Sequence, residues 1–247
     1  MSRHSLISFL IRLTLGNGAE TTYSDLNQIQ KSVANLKSVW NNSTTQDLGI
    51  ERIIRLLLAL SVFGLPGIYV KTMLHHRRVD IQDIVTDAYV GAKLLLPLVI
   101  LKFELYHLWM IHALQIVLIV ETMLYIPMLI FASDFFSKPR TYRRSLILLF
   151  VNYAELVLGY AVLYSMPATL NREFSDWLDA IYFSAVTAAT IGYGDYYPVT
   201  SYGKAVVSMQ SMAFLVFGVL FLSFFTNRLE KIGYFNSQLT NTQRNED

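Results

Sequence analysis

No cysteine occurs anywhere in the 247 residues, and charged side chains make up only 15% of them. The missing thiols exclude disulfides, thiolate metal sites and thiol catalysis, and they leave the redox compartment unmarked. Charge of either sign is scarce as well. Twenty lysines and arginines against 18 acids leave a formal net charge of +2, so no basic field argues for nucleic acid. Catalytic motifs are missing too: there is no HExxH, no glycine-rich phosphate loop and no nucleophile motif. His107 and His112 are five apart, which would spread them around a helix rather than stack them. The expectation is a chain with no catalytic residues and no organic cofactor. The N-terminus reads as a poor signal peptide, because Arg12 soon interrupts the apolar run that follows Arg3 and His4, so the spans themselves are expected to direct insertion.

Apolar sequence fills the chain instead. Hydrophobic residues make up 53% of it, and the mean hydropathy is +0.40, which places it among membrane proteins. Five apolar stretches stand out. Leu56 to Val70 is uncharged but carries Gly64, Pro66 and Gly67, which are expected to bend it. Ala88 to Leu101 contains Lys93 and reads as short for a full span. Leu108 to Ala132 contains His112 and Glu121, Ser145 to Ser165 contains Glu155, and Ala205 to Phe225 has no charge. Each is measured against the roughly 20 apolar residues that a bilayer helix needs.

Basic clusters orient these stretches. Lys71, His75, His76, Arg77 and Arg78 follow the first, Lys138, Arg140, Arg143 and Arg144 separate the third from the fourth, and Arg228 and Lys231 follow the last. The positive-inside rule puts all three clusters in the cytoplasm, so stretches two with three and four with five form hairpins. The first stretch either crosses and puts the N-terminus outside, or is re-entrant or interfacial and leaves it inside. Within the polar residues 18–48, Leu26, Ile29, Val33, Leu36 and Trp40 recur at helical spacing, with Ser24 or Asp25 as a candidate cap. That helix either pairs between subunits or lies on the membrane or on its own neighbours.

Between the last two stretches, Asn171 to Lys204 is too long and too patterned for a simple turn. Ser175 or Asp176 can cap a short helix running through Trp177, Ala180, Ile181, Ser184 and Ala185, too short to cross the bilayer. Directly after it stands Thr190-Ile191-Gly192-Tyr193-Gly194-Asp195, and Pro198 stops the turn. A run of backbone carbonyls facing one axis can replace the hydration shell of a cation without any fixed charge. Such a run needs alternating left-handed backbone, which Gly192 and Gly194 adopt at no steric cost. The Thr190 hydroxyl adds one more oxygen, and Ile191 and Tyr193 are expected to turn away from the axis. The carbonyl end of the short helix would favour a cation in front of it.

This segment resembles the TVGYG or TIGYG filter, usually followed by Asp, of the potassium channel family, and the resemblance extends over about Ser145 to Asn227. It implies an all-α membrane protein: a tetrameric pore-loop channel of outer helix, pore helix, filter and inner helix, with peripheral N-terminal transmembrane helices added. The expected organisation is a polar segment with a short helix (1–50), a peripheral transmembrane module (51–137), a pore domain (138–230) and a short cytoplasmic tail (231–247). One copy of the motif implies a homotetramer among membrane lipids, K⁺ ions in the filter, passive K⁺ conduction, and residence in the cell (plasma) membrane. Little sequence follows the inner helix, so no appended nucleotide- or calcium-binding domain is expected.

Carried over one by one, Thr187 matches the pore-helix threonine, and Tyr182 and Phe183 stand where many members have paired tryptophans. Tyr182 is thereby a candidate to hydrogen-bond Asp195, and Trp177 supports the pore helix. Val186 replaces the buried acid of some bacterial channels. Tyr197 occupies the place of an outer-mouth aromatic, or is an interfacial tyrosine. Along the inner helix Ser208, Ser211, Met212 and Phe221 are candidates for the cavity or gate. Gly218 is either a hinge or a site of close helix packing.

The family's voltage sensors carry arginine at every third position of one helix, and none of the first three stretches does. Arg52 and Arg55 read as an anchor. The gating stimulus is therefore expected to act on the membrane region, on the N-terminal segment, or through a regulatory protein. Lys102, Glu104, His107, His112, Glu121 and Glu155 are ionisable groups in or near apolar spans. His107, His112 and Glu121 are candidates for pH sensing. In the opposing reading Lys102, Glu104 and His107 snorkel at a helix end, while Glu121 and Glu155 find structural partners.

Overall fold

The structure, a computed structural model, describes residues 27–41, 49–73, 79–131 and 142–231. Among these, eight α-helices follow one another: α1 (Gln28–Asn41), α2 (Ile50–Ser61), α3 (Pro66–Met73), α4 (Val79–Lys102), α5 (Trp109–Phe131), α6 (Tyr142–Tyr164), α7 (Trp177–Ala188) and α8 (Ser201–Lys231). Short 3₁₀ turns at Val62–Gly64 and Leu105–His107 join α2 to α3 and α4 to α5. Ser24 and Asp25, the clusters at 74–78 and 132–141, and the tail beyond 231 lie outside the described residues.

Asn27 starts α1. Its Oδ1 accepts from the Ile29 N–H at 3.4 Å, and Gln30 Oε1 reaches back to the Asn27 N–H at 3.0 Å, the reciprocal arrangement of a capping box. The helix rests on α2 and α3 of its own chain, burying Val39 and Ser32 and leaving Val33 and Trp40 exposed. That is packing on its own neighbours, with part of the apolar stripe still uncovered.

The first apolar stretch does not form one helix. The turn at Val62–Gly64 and extended backbone at Leu65 separate α2 from α3, and Pro66 opens α3, where a missing N–H goes unnoticed. With 12 and 8 residues, the two pieces rise about 18 and 12 Å, too little to cross a ~30 Å core. The second stretch corrects the sequence reading in the opposite sense. It belongs to a helix of 24 residues that begins in polar sequence at Val79, and Ile84–Lys102 is long and apolar enough to span. Ile147–Tyr164 and Ser201–Val219 meet the same measure, and α5, itself 23 residues, contributes the apolar run Trp109–Leu124. This is a helical membrane protein.

Helix α6 is the hub, touching α4, α5, α7 and α8. Its Tyr164 ring meets Phe183 of α7 edge-on at 4.7 Å, and Tyr153 meets Phe214 of α8 at 4.7 Å. On its other side Ala161 and Val162 pack with Ile100 and Leu101 of α4 and with Trp177 and Ile181 of α7. The short helix α7 is thus packed against both a peripheral helix and the central one.

Candidate functional site: a helix, a left-handed turn and its supports

Helix α7 is aimed by its first turn. Asp176 caps it by accepting from the Trp177 N–H at 2.7 Å, which decides between the two cap candidates. Asp179, one turn on, accepts from the Ser175 N–H at 3.0 Å and from the Tyr196 hydroxyl at 3.1 Å, tying the helix start to the chain beyond the filter motif. Burial and then this hydrogen bond hold the Tyr196 phenol above its ordinary range, so it stays a neutral donor. Arg172 stands over the Tyr196 ring at 4.3 Å.

At its other end the helix stops abruptly. The Thr187 and Val186 carbonyls accept from the Thr190 and Ile191 N–H groups, each at 3.0 Å, which folds the chain back on itself. Then Thr190, Gly192 and Gly194 take φ values of 57°, 59° and 82°. Positive φ at every second residue is the alternation that aligns successive carbonyls. Two of the three positions are glycine. Thr190 bears the left-handed conformation with a β-branched side chain, a cost of roughly 1–2 kcal/mol. No atom lies within 4 Å of where a Cβ would stand on Gly192 or Gly194, so backbone conformation, not crowding, requires glycine there.

Ile191 and Tyr193 are exposed in the single chain, at 53% and 68%. The Tyr193 ring nonetheless lies parallel to that of Tyr182, 6.4 Å away at 2°, and the Tyr182 hydroxyl bonds the Asp195 side chain. Phe183 is buried among Tyr164, Phe174 and Tyr196. Behind the helix, Ser184 donates to the Val157 carbonyl at 2.6 Å. Gln210 of α8 donates to both the carbonyl and the hydroxyl of Ser184 and accepts from Tyr164.

Beyond Asp195 the chain is stitched to the segment before α7. Asn171 exchanges two hydrogen bonds with Tyr197, both 2.9 Å, and its amide reaches the Asp195 carbonyl at 3.4 Å. Gly203 fits against Thr169, whose carbonyl would stand 2.4 Å from an added Cβ. Tyr197 itself is exposed. The residues that sequence reasoning missed here are Asn171, Asp179 and Gln210. Only polarity beside the motif, or inside an apolar helix, marked them.

Along α8, Ser208, Met212, Leu215 and Val219 form an exposed stripe, and the Ser208 hydroxyl bonds back to the Lys204 carbonyl at 2.8 Å. Ser211 is half-buried beside it. α8 runs without interruption through Gly218, and no atom comes within 4 Å of its Cβ position, so close packing within the chain does not account for this glycine. Phe221 lies in the helix, but its side chain is outside the described residues.

The ionisable candidates scatter. Lys102, Glu104 and His107 are exposed at the α4–α5 corner, where Glu104 takes a left-handed φ of 55° and His107 stands against Tyr106. His112 is buried in α5 and its Nε2 lies 2.8 Å from the Tyr202 hydroxyl of α8. Glu121 has structural partners. It accepts from Tyr89 at 2.6 Å and from the Gly67 N–H at 2.8 Å, and Lys93 stands 3.4 Å away. Lys93 also faces Glu155 at 3.9 Å. Reading Lys93 only as a defect in a short span overlooked the simplest signal, one buried base between a buried acid and a half-buried one.

Residues 146–231, the stretch holding α7, the left-handed turn and α8, match the family described as Ion channel. A stretch of 58 residues, 23% of this chain, is 38% identical to Potassium channel K1 of Plasmodium berghei (strain Anka) and covers 3% of that protein. The chain thus spans a small part of the length of the curated relative that it matches. No solved structure matches.

Proposed function

On the premise that residues 146–231 make this chain a member of the potassium channel family, we propose that it conducts K⁺ passively and selectively across a membrane, as a homotetramer whose four TIGYGD segments form one filter. The observation that carries this reading is the positive φ at Thr190, Gly192 and Gly194. Four such segments around an axis stack rings of carbonyl oxygens, capped at the inner end by the Thr190 hydroxyls, and K⁺ exchanges its water for them. K⁺ ions in the filter are cargo, and the chemistry needs no organic cofactor and no catalytic residue.

Assembly gives a role to what one chain leaves bare. Ile191, Tyr193 and the paired Tyr182 ring are apolar surface that a neighbouring subunit covers, bracing the filter from outside. Thr187, Trp177 and Phe183 hold the pore helix so that its carbonyl end points at the axis. The stripe Ser208, Met212, Leu215 and Val219 lines the cavity below, with Ser211 beside it and Gly218 and Phe221 towards the gate. Tyr197 stands at the outer mouth. Residence in the plasma membrane, and a regulatory partner acting through the N-terminal segment, complete the proposal.

A planar-bilayer recording of the purified chain, with KCl on one side and NaCl on the other, tests it. Reversal near the K⁺ equilibrium potential is the expected result. Reversal near zero in a stable current would sink the selectivity.

A further inference from the structure

Where the peripheral helices meet the central one, a buried ammonium faces two carboxylates. Lys93 of α4 is 7% exposed, with Glu121 Oε2 of α5 at 3.4 Å and Glu155 Oε2 of α6 at 3.9 Å. One positive charge cannot neutralise both acids, and the acids differ. Glu121 receives the Tyr89 hydroxyl and the Gly67 N–H besides Lys93, three donors that suit an ionised carboxylate. Glu155 is 1% exposed, and neither of its oxygens has a well-formed hydrogen bond, the Thr122 hydroxyl being the donor nearest to it. That hydroxyl accepts from Lys93 and can donate only one bond, against the three donors at Glu121. An ionised carboxylate so poorly supplied with donors, inside a membrane helix seam, is a costly state that a neutral acid avoids.

Other orphaned polar atoms share this seam. Gln115 of α5 is fully buried with neither amide atom bonded, and its Nε2 is the atom that a Cβ on Gly159 would meet at 2.6 Å, one turn from Glu155 on α6. His112 Nδ1, one turn from Gln115 toward the Tyr202 end, is unbonded as well. His112, Gln115 and Thr122 fall on one face of α5. Orphaned polar groups in a row between packed helices are what ordered water bridges.

We propose that Glu155 is a proton-binding site: its carboxyl is protonated at neutral pH while Glu121 keeps the Lys93 contact, and the row through Gln115 and His112 exchanges that proton with solvent. The groups that act on Glu155 are Lys93 and Tyr89 from α4 and Thr122 and Glu121 from α5. From α7 and α8 the polar groups at α6 are the neutral Ser184 and Gln210. Losing the proton sets a second negative charge beside Glu121 and strains the contact of α6 with α4 and α5. Because α6 also carries α7, pH reaches the filter support through this seam.

Infrared difference spectra of the full-length chain in lipid, recorded between about pH 5 and about pH 9, read the proton directly. A protonated-carboxyl band present at neutral pH, lost on alkalinisation, missing in E155Q and retained in E121Q is the expected result. A band that survives in E155Q, or no such band in the native chain at neutral pH, overturns the assignment. E155Q mimics the neutral acid in shape and charge, so its thermal unfolding at neutral pH should match that of the native chain. A large loss would mean that Glu155 was ionised, and would also overturn it. Neither readout requires current, so failure here leaves the conduction reading standing.

Discussion

Asn171 and Tyr197 clasp each other twice: the Asn171 N–H donates to the Tyr197 carbonyl, and the Tyr197 N–H donates to Asn171 Oδ1, both at 2.9 Å. The clasp closes a loop of chain around α7 and the left-handed turn, so the far end of the Thr190–Asp195 segment is pinned by a residue that precedes it. Asn171→Ala removes the side-chain bonds to Tyr197 and Asp195, at about 1 kcal/mol each. Amide exchange at Tyr197 should quicken, and current should run down sooner in low external K⁺. Asn171→Asp keeps the acceptor for Tyr197 and should retain most of the protection. Unchanged exchange in the alanine variant would show the clasp to be idle.

Left-handed backbone makes a second prediction. Gly192→Ala puts a Cβ on a residue with φ 59°, at roughly 1–2 kcal/mol per subunit, with no neighbour to crowd it. The bi-ionic reversal potential should move to zero, or current should vanish while migration on native gels is unchanged. Thr190→Gly should do the reverse to stability, relieving strain while removing the hydroxyl, so thermal stability holds or rises as selectivity falls. Thr190→Ser keeps the hydroxyl and should keep selectivity.

Glycine at 67 is needed for a different reason. An alanine Cβ there would come within 2.5 Å of Glu121 Oε1, forcing α3 away from the carboxylate that its Gly67 N–H now bonds. Gly67→Ala should lose about 1–3 kcal/mol, read as a lower unfolding temperature in detergent. Gly64→Ala has open space at the same point and should stay within about 0.5 kcal/mol of the native chain. Equal effects would refute the close-approach argument.

Gln210 links three helices, taking the Tyr164 hydroxyl of α6 and donating to Ser184 of α7. Gln210→Leu strands two buried polar groups and should lose about 1–3 kcal/mol. Tyr164→Phe removes one bond and leaves the Ser184 pair intact, so it should lose less. If thermal unfolding ranks them the other way, the amide is not the organiser of this junction.

Helices α6 to α8 were legible because each signal was local. The apolar runs of α6 and α8, the cap at Asp176 and the Gly-x-Gly spacing of 192 and 194 all sit next to what they govern. The second stretch was read as too short because its first turns, from Val79, are polar. Hydropathy marks the buried length of a helix and says nothing of its solvent-facing start. The first stretch was rightly expected to bend at Gly64, Pro66 and Gly67, but whether the pieces stayed collinear depended on what they packed against.

By itself, then, the sequence determined the membrane class, the order of helices around the Thr190–Asp195 motif and the left-handed turns at Gly192 and Gly194, but not the one at Thr190. Helical periodicity, capping and glycine freedom act over a few residues. The partners of isolated polar residues were decided only by tertiary structure: Lys93 with Glu121 and Glu155, Asn171 with Tyr197, Asp179 with Tyr196, Gln210 with Tyr164. The members of each pair come from different elements, and the free energy of burying one polar group is set by whichever other group the fold brings beside it.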